Sequence, residues 1–417
     1  MAVYYIDPHN GNDALNGLTP EMAVMDEKKL NIQPGDTVLF RRGSFIRGFI
    51  DPVEGTEDAP VTYGAYGEGE KPTFCGSVDV SEPENWEEIS PNIWRCTKEV
   101  PSDAGNFVFN EDECTATLRW SKEELSGQGD FFDNRYGQIK LKQPVSEQEL
   151  LMYSEGNPGS YYRHIECVPY GNRRLCTLKS HMIIEDLAFI NSGVHAMRGA
   201  GEYITIRRCD FRNIGGCVWS PELKIRFGNG IELWNIGNYV LVEDCYFLNV
   251  YDSCVTHQGR GEKMKPAVRF DCRRNVFDTY GMAAFEYRDE LPLGSDFTDN
   301  ICRNAGCGFA MLGEGNPRSS EIWPQPMGHH IFLWRIEGVH EGANVLIARN
   351  EFGPAPVGAA IYSIICPEAE AKMELRGNTY TPNSVLLNRF GGKNYNDFEQ
   401  YRAETGKDQG SRIHDES

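Results

Sequence analysis

The chain has 417 residues, 40% of them hydrophobic, a formal charge of −20 and 13 cysteines. That length buries a large core in one elongated domain or in two or three compact ones. The acidic balance argues against nucleic acid or an anionic membrane as partner, because counterion release needs clustered Lys and Arg.

An odd number of cysteines with no C-x-x-C pair reads as buried thiols rather than a disulfide scaffold. No segment is apolar enough to span a membrane as a helix. The opening MAVYYIDPHNGND lacks a basic stretch followed by an apolar one, so a cytoplasmic location is expected as written, or secretion if a leader has been removed. The negative charge also makes a neutral polymer a more natural substrate than a strongly acidic one, although a local basic groove overrides the average. Nothing in the composition indicates an oligomeric state.

In chain order, residues 1–85 read as an N-terminal cap and first coils. LTPEMAVMDEKKLN (18–31) predicts a capping helix, with Thr19 as N-cap, Pro20 in the first helical position and Met22, Met25 and Leu30 at helical spacing. It leads through QPGD into the strand TVLFRRG. Residues 86–178 are less periodic. NFVFNEDECTATLRW, GDFFDNRYGQIKL and EGNPGSYYRHIECV, with short strands, Gly turns and aromatics, predict an inserted β-rich subdomain that serves as a cleft wall or a buttress.

Residues 179–385 carry an internal repeat, seen in IIEDLAFINSGVHAM, ITIRRCDFRNIGGCVW, VLVEDCYFLNVYDSCVTHQ, VRFDCRRNVFDTYGMAAFEYR, FTDNICRNAGCGFAML and VLIARNEFGPAPVGAAIY. Each has a short alternating strand, a small polar, thiol or apolar anchor, and an aromatic two positions later. The pairs are Leu187 with Phe189, Cys209 with Phe211, Cys245 with Phe247, Asn275 with Phe277, Asn350 with Phe352 and Asn378 with Tyr380; Asn300 is followed instead by Cys302. The anchors lie 22, 36, 30, 25, 50 and 28 residues apart, so the 50-residue interval holds two turns or one turn with a long insertion. Period-two alternation rich in Val, Ile, Phe, Asn and Gly predicts a β-solenoid rather than a helical repeat. Equivalent residues then stack at the inter-strand spacing, with Asn anchors satisfying turn backbone and Cys anchors filling space. Residues 386–417 read as a short C-terminal helix and a polar tail.

YYIDPHNGNDALNGLTPEMAV, PGDTVLFRRGSF and APVTYGAYGEGEKPTF, with the repeats and the closing FEQYRAETGKD, resemble right-handed parallel β-helix proteins of the pectate-lyase-like superfamily. The resemblance implies an all-β fold, a right-handed parallel β-helix with an N-terminal helical cap and an inserted β-rich subdomain. The 86–178 region is similar to segments of glycosidase-like members. Members are mostly carbohydrate-active, but the fold hosts hydrolases, lyases, epimerases and tailspikes and does not choose among them.

Aligning the anchors puts GIELW (230–234), CVTHQ (254–258), AFEYR (284–288) and GFAML (308–312) on four successive rungs, with PELKIRFGNGI looped out before the first. Alternation then points Ile231, Val255, Phe285 and Phe309 inward and Glu232, Thr256, Glu286 and Ala310 outward. Trp234, Gln258, Arg288 and Leu312 form a second outward ladder, with His257 and Tyr287 between the two, inward or on an exposing bend.

Glycoside hydrolysis needs a carboxyl group to protonate the leaving oxygen and a carboxylate to activate water or attack carbon. Glu232 and Glu286, two rungs and about 9.6 Å apart, suit the wider spacing of inverting enzymes. Asp252 in VYDSC is a third candidate acid or a turn cap. Trp234, His257, Gln258 and Arg288 are candidate substrate-binding residues, joined by Trp323 and His330 from the segment 312–342, which overhangs the ladder or contributes HIFLW as a core strand. The adjacent histidines lack a third ligand at metal spacing, so no cofactor is expected. The expected partner is a carbohydrate. The rival reaction is β-elimination on a uronate-containing glycan, with Arg288, His257, Lys263 or Lys265 serving and calcium held by outward acids. A noncatalytic carbohydrate-binding solenoid is the third reading.

Overall fold

The computed structural model describes residues 1–136, 148–259, 265–309, 327–356, 358–381 and 385–414. They wind into a right-handed parallel β-helix whose coils contribute to a 17-stranded sheet folded along a bend and to a ten-stranded parallel sheet that closes the third side. Each inward position stacks on its equivalent one coil away. Ile184, Ile206, Val242, Cys272, Phe297, Ile347 and Leu375 form one such column and are all buried. Burying a side chain of this kind contributes about 1.5–3 kcal/mol, so the column is a main source of stability.

The aromatic column Phe74, Phe189, Phe211, Phe247 and Phe277 stacks ring on ring at 4.5–5.8 Å. Beside it runs the anchor ladder. The Asn275, Asn300 and Asn350 backbone N–H groups donate to Oδ1 of Asn300, Asn350 and Asn378 at 2.9–3.0 Å. Each Nδ2 also reaches a strand carbonyl. Asn300 lies directly beneath Asn350, so the 50-residue interval is one turn with a long insertion. Asn350→Leu should lower stability by about 2–6 kcal/mol, since it strands the Asn300 N–H and the Phe297 carbonyl at roughly 1–3 kcal/mol each. A fall in the urea midpoint is the measurement.

One residue before each anchor the backbone turns through the left-handed region, at Asp186, Arg208, Asp244, Arg274, Asp299 and Arg349. Their side chains alternate in charge along the outer corner and pair at 2.7–2.8 Å.

Segment 18–31 does not form the expected α-helix. It makes two 3-10 turns, Pro20–Met22 and Glu27–Lys29, and Thr19 makes no side-chain cap. Buried Val24 bridges Ile6 in extended conformation and donates to the Tyr5 carbonyl, which breaks the helix between the two turns. Near the other end Phe398–Thr405 is an α-helix, capped by Asp397 and stopped by Gly406 at φ 65°.

Between the first coils and the repeats the chain builds a four-stranded antiparallel sheet from Val78–Asp79, Ala104–Phe109, Cys114–Thr115 and Ile165–Pro169, and a five-stranded sheet beside it. They share a core of Trp86, Phe107, Phe109, Phe131 and Met152, joined by Val218. Val218 belongs to the antiparallel hairpin Cys217–Ser220 and Ile225–Phe227, which is the looped-out insertion before Glu232. Arg226 ties hairpin to subdomain: its guanidinium donates to the Gly216 and Gly105 carbonyls at 2.7 Å and lies 4.6 Å over the Tyr251 ring.

Candidate active site

Six strands carry the candidate residues: β1 (His195–Arg207), β2 (Ile231–Glu243), β3 (Ser253–Gln258), β4 (Ala283–Glu290), β5 (His329–Gly338) and β6 (Ala359–Ser363). Their parallel register puts Met197, Ile231, Val255, Phe285, Ile331 and Ile361 in one inward column, and Arg198, Glu232, Thr256, Glu286, Phe332 and Tyr362 in one outward column. Trp234 and Gln258 pair on the next outward position, as do Arg288 and Trp334.

GFAML is not the fourth of these strands. The coil closes when the Gly306 and Cys307 N–H groups donate to the Tyr280 carbonyl, and the chain comes back at Gly328, where φ is 93° and a Cβ would lie 2.4 Å from the Gly306 Cα. HIFLW then supplies the rung, so Phe332 and Trp334 stand where Ala310 and Leu312 were expected. Ala310, Leu312 and the candidate Trp323 lie outside the described residues. Phe309 packs outside the coil against Tyr251.

Two candidates face the wrong way for binding a sugar. His257 points into the coil among Phe270, Phe285 and Tyr287, and neither ring nitrogen finds a hydrogen-bond partner. His330 is also internal: the chain bends beside it, so it and Ile331 both enter the core. It bonds Tyr280 Oη and the Gly353 carbonyl and stacks on Phe352, filling the gap left where Cys302 replaces an aromatic. Burial lowers the pKa of each histidine to about 4.

Glu232 faces outward but is only 4% exposed. Its Oε1 accepts from Arg198 Nε at 2.6 Å, and its Oε2 from Asn229 Nδ2 at 2.9 Å and Gln258 Nε2 at 2.6 Å. His195 Nδ1 accepts the Asn229 N–H, which leaves the ring proton on Nε2, 3.6 Å from Glu232 Oε2. Burial pushes the Glu232 pKa up, but His195, Arg198 and Asn229 outweigh it and hold it below the usual carboxylate value. Burial sets the His195 pKa at about 4, against the pull of Glu232.

Glu286 is fully buried, with Ser253 Oγ at 3.1 Å and Arg288 Nη1 at 3.5 Å. A run of hydrogen bonds joins the surroundings of the two acids: Asn229 Nδ2 donates to Glu232, its Oδ1 accepts the Ser253 N–H, and Ser253 Oγ donates to Glu286. Asp252 is buried at the corner between these rungs; its N–H donates to the Gly228 carbonyl and its carbonyl accepts from Met282 N–H. Trp234 flanks the cluster under the Arg198 guanidinium at 5.3 Å, and Trp334 lies 5.8 Å from that of Arg288. Among the described residues no group of three or more His, Cys, Asp or Glu side chains is placed to hold a metal ion.

Sequence alignment brought Glu232, Gln258, Glu286 and Arg288 together but omitted His195, Arg198, Asn229 and Ser253. The signal was present, since the first repeat ends in GVHAM and runs on into Arg198, one rung below Glu232.

No protein-family model matches the chain, and no curated protein matches it in sequence. Among solved structures it is similar to XylC in complex with xylose, at TM-score 0.56 and 11% identity over 93% of this chain and 66% of that one. A GH136 lacto-N-biosidase from Eubacterium ramulus gives TM-score 0.48 and 14% identity over 93% and 61%. A structure described as a glycoside hydrolase gives 0.47 and 10% over 99% and 96%. The chain spans less than two thirds of the first two proteins, and the likeness is one of fold.

Proposed function

We propose that this chain is a glycoside hydrolase that cuts an oligo- or polysaccharide on the outward face of β1 to β4. The observation that carries the reading is the pair of outward, buried glutamates two rungs apart, one held ionised by Arg198 and flanked by an indole. A polar network of this density on the outside of a coil costs desolvation at every member, which a purely structural face has no need of.

In this reading Glu232 is the base. Its carboxylate is oriented by Arg198, Asn229 and Gln258 and takes the proton of an attacking water. Glu286 donates the proton to the departing oxygen, and Asp252 tunes the pair. The rung separation of about 9.6 Å favours inversion. Trp234, Gln258 and Arg288 contact the sugar. The likeness in fold to XylC, solved with xylose, supports a carbohydrate as ligand. The lyase reading keeps Arg288 but has lost His257 to the core.

The test is incubation with neutral and uronate-containing glycans. New reducing ends without unsaturation, in the inverted anomer, are expected. Products absorbing near the ultraviolet edge would instead mean elimination, and binding without products a noncatalytic solenoid.

A further inference from the structure

The outward face does not end at β1. Thr177 pairs with Arg198 and Cys176 with Met197, so the strand Arg174–Leu178 carries the outward and inward columns one rung further, with Arg174 beside His195. A cavity of about 200 Å³ opens there, between the coil and the inserted subdomain, lined by Arg47, Ser77, Tyr170, Asn172, Arg174 and Ser192. Its walls touch the candidate site: Ser192 Oγ donates to the His195 carbonyl, and Tyr170 packs near Phe227, whose ring meets His195 edge-on at 5.7 Å.

On the corner ladder the arginines are paired with carboxylates, and within the cavity Arg47 is committed to Glu166 through both Nη atoms, at 2.8 and 2.6 Å. Arg174 donates Nε to Thr177 Oγ1 at 2.8 Å, and among the described residues it makes no ion pair. Asp51, near enough to feel its charge, is ion-paired to Lys179 at 3.1 Å. Next to Arg174 in the chain, Arg173 makes no ion pair among the described residues, and its buried Nε has no hydrogen-bond partner there. The Arg174 guanidinium in the cavity wall, with Arg173 next to it in the chain but outside the lining, makes a local positive field that the net charge of −20 conceals.

We propose that this cavity is an anion subsite, with the planar fork of Arg174 receiving a carboxylate or sulfate carried by a sugar. It rests on the hydrolase reading for its role: lying about three inter-strand spacings, roughly 14 Å, from the midpoint of Glu232 and Glu286, it holds a sugar beyond the units flanking the cut bond. The substrate is then a glycan with an acidic substituent remote from the cleavage point, despite the acidity of the protein.

Calorimetric titration of the intact chain with glucuronic acid, glucose 6-sulfate and glucose decides it without requiring turnover. One or both acids should bind, and glucose at least tenfold more weakly; which acid gains identifies the substituent. Arg174→Gln should abolish the preference, and so should Asn172→Asp, which adds opposing charge at an exposed position of the mouth. Equal binding of glucose, binding of neither acid, or a preference that survives Arg174→Gln overturns the subsite. If hydrolysis survives Glu232→Gln and Glu286→Gln, the catalytic reading falls while these titrations still decide the cavity.

Discussion

Glu286→Gln is expected to slow cleavage of an unactivated glycan by about 10²- to 10⁴-fold, the usual worth of a positioned general acid, while changing thermal stability little. The amide keeps the shape of the carboxyl group, and its oxygen still accepts from Ser253 Oγ or faces Arg288. The loss should shrink on an aryl glycoside with a good leaving group, whose departing oxygen needs no proton. Initial rates on both substrates, with a melting curve for each protein, make the measurement. Equal rates for variant and wild type would remove Glu286 from the mechanism.

Glu232→Gln should behave differently because of its neighbours. Arg198 Nε, Asn229 Nδ2 and Gln258 Nε2 all donate to it, and the His195 ring proton points the same way. An amide NH₂ placed among donors has no acceptor, and Arg198 loses its counter-charge. Breaking a fully buried ion pair costs about 3–5 kcal/mol; Arg198 keeps some access to water, so the loss falls toward or below the lower figure, and the melting temperature falls together with the rate. Were Glu232 only a structural partner of Arg198, stability would fall alone, and the rate measured well below the melting temperature would match wild type.

Much of the coil was legible because a parallel ladder repeats one environment. The anchors at Cys245, Asn275 and Asn300 set the register, and that register aligned Glu232 with Thr256 and Glu286 as the strands do. The same logic failed at GFAML. Its in-out pattern matches HIFLW residue for residue, and only the closure of the coil at Gly306 distinguishes them. Alternation also reports which side of a strand a residue leaves, not whether that side is covered. Glu232 and Glu286 leave outward as expected yet are buried, through neighbours that come from a hairpin, a corner and adjacent rungs rather than from their own strand. The cavity at Arg174 was invisible for a related reason: it lies where two separate stretches, the first coils and the end of the inserted subdomain, happen to meet.

Three of the buried histidines predict a steep loss of stability in mild acid. His195, His257 and His330 each have a folded pKa of about 4, set by burial, against the ordinary imidazole value of 6.5. Between those values the unfolded chain takes up protons that the folded chain refuses, so stability is full above about pH 6.5 and falls as the pH drops towards 4. At pH 5 the loss comes to roughly 2 kcal/mol per histidine and about 6 kcal/mol in all, as an upper figure. Urea unfolding followed from about pH 7 to pH 5 measures it. His257 gives the cleanest control, because its shift comes from burial alone and its ring nitrogens are unpartnered. His257→Leu should raise stability at neutral pH by about 1–3 kcal/mol, the cost of the unsatisfied polar group, and cut the acid-induced loss by about a third. An unchanged pH dependence in that variant would mean that His257 is already protonated or hydrated in the folded protein, and the inward column would have to be redrawn around it.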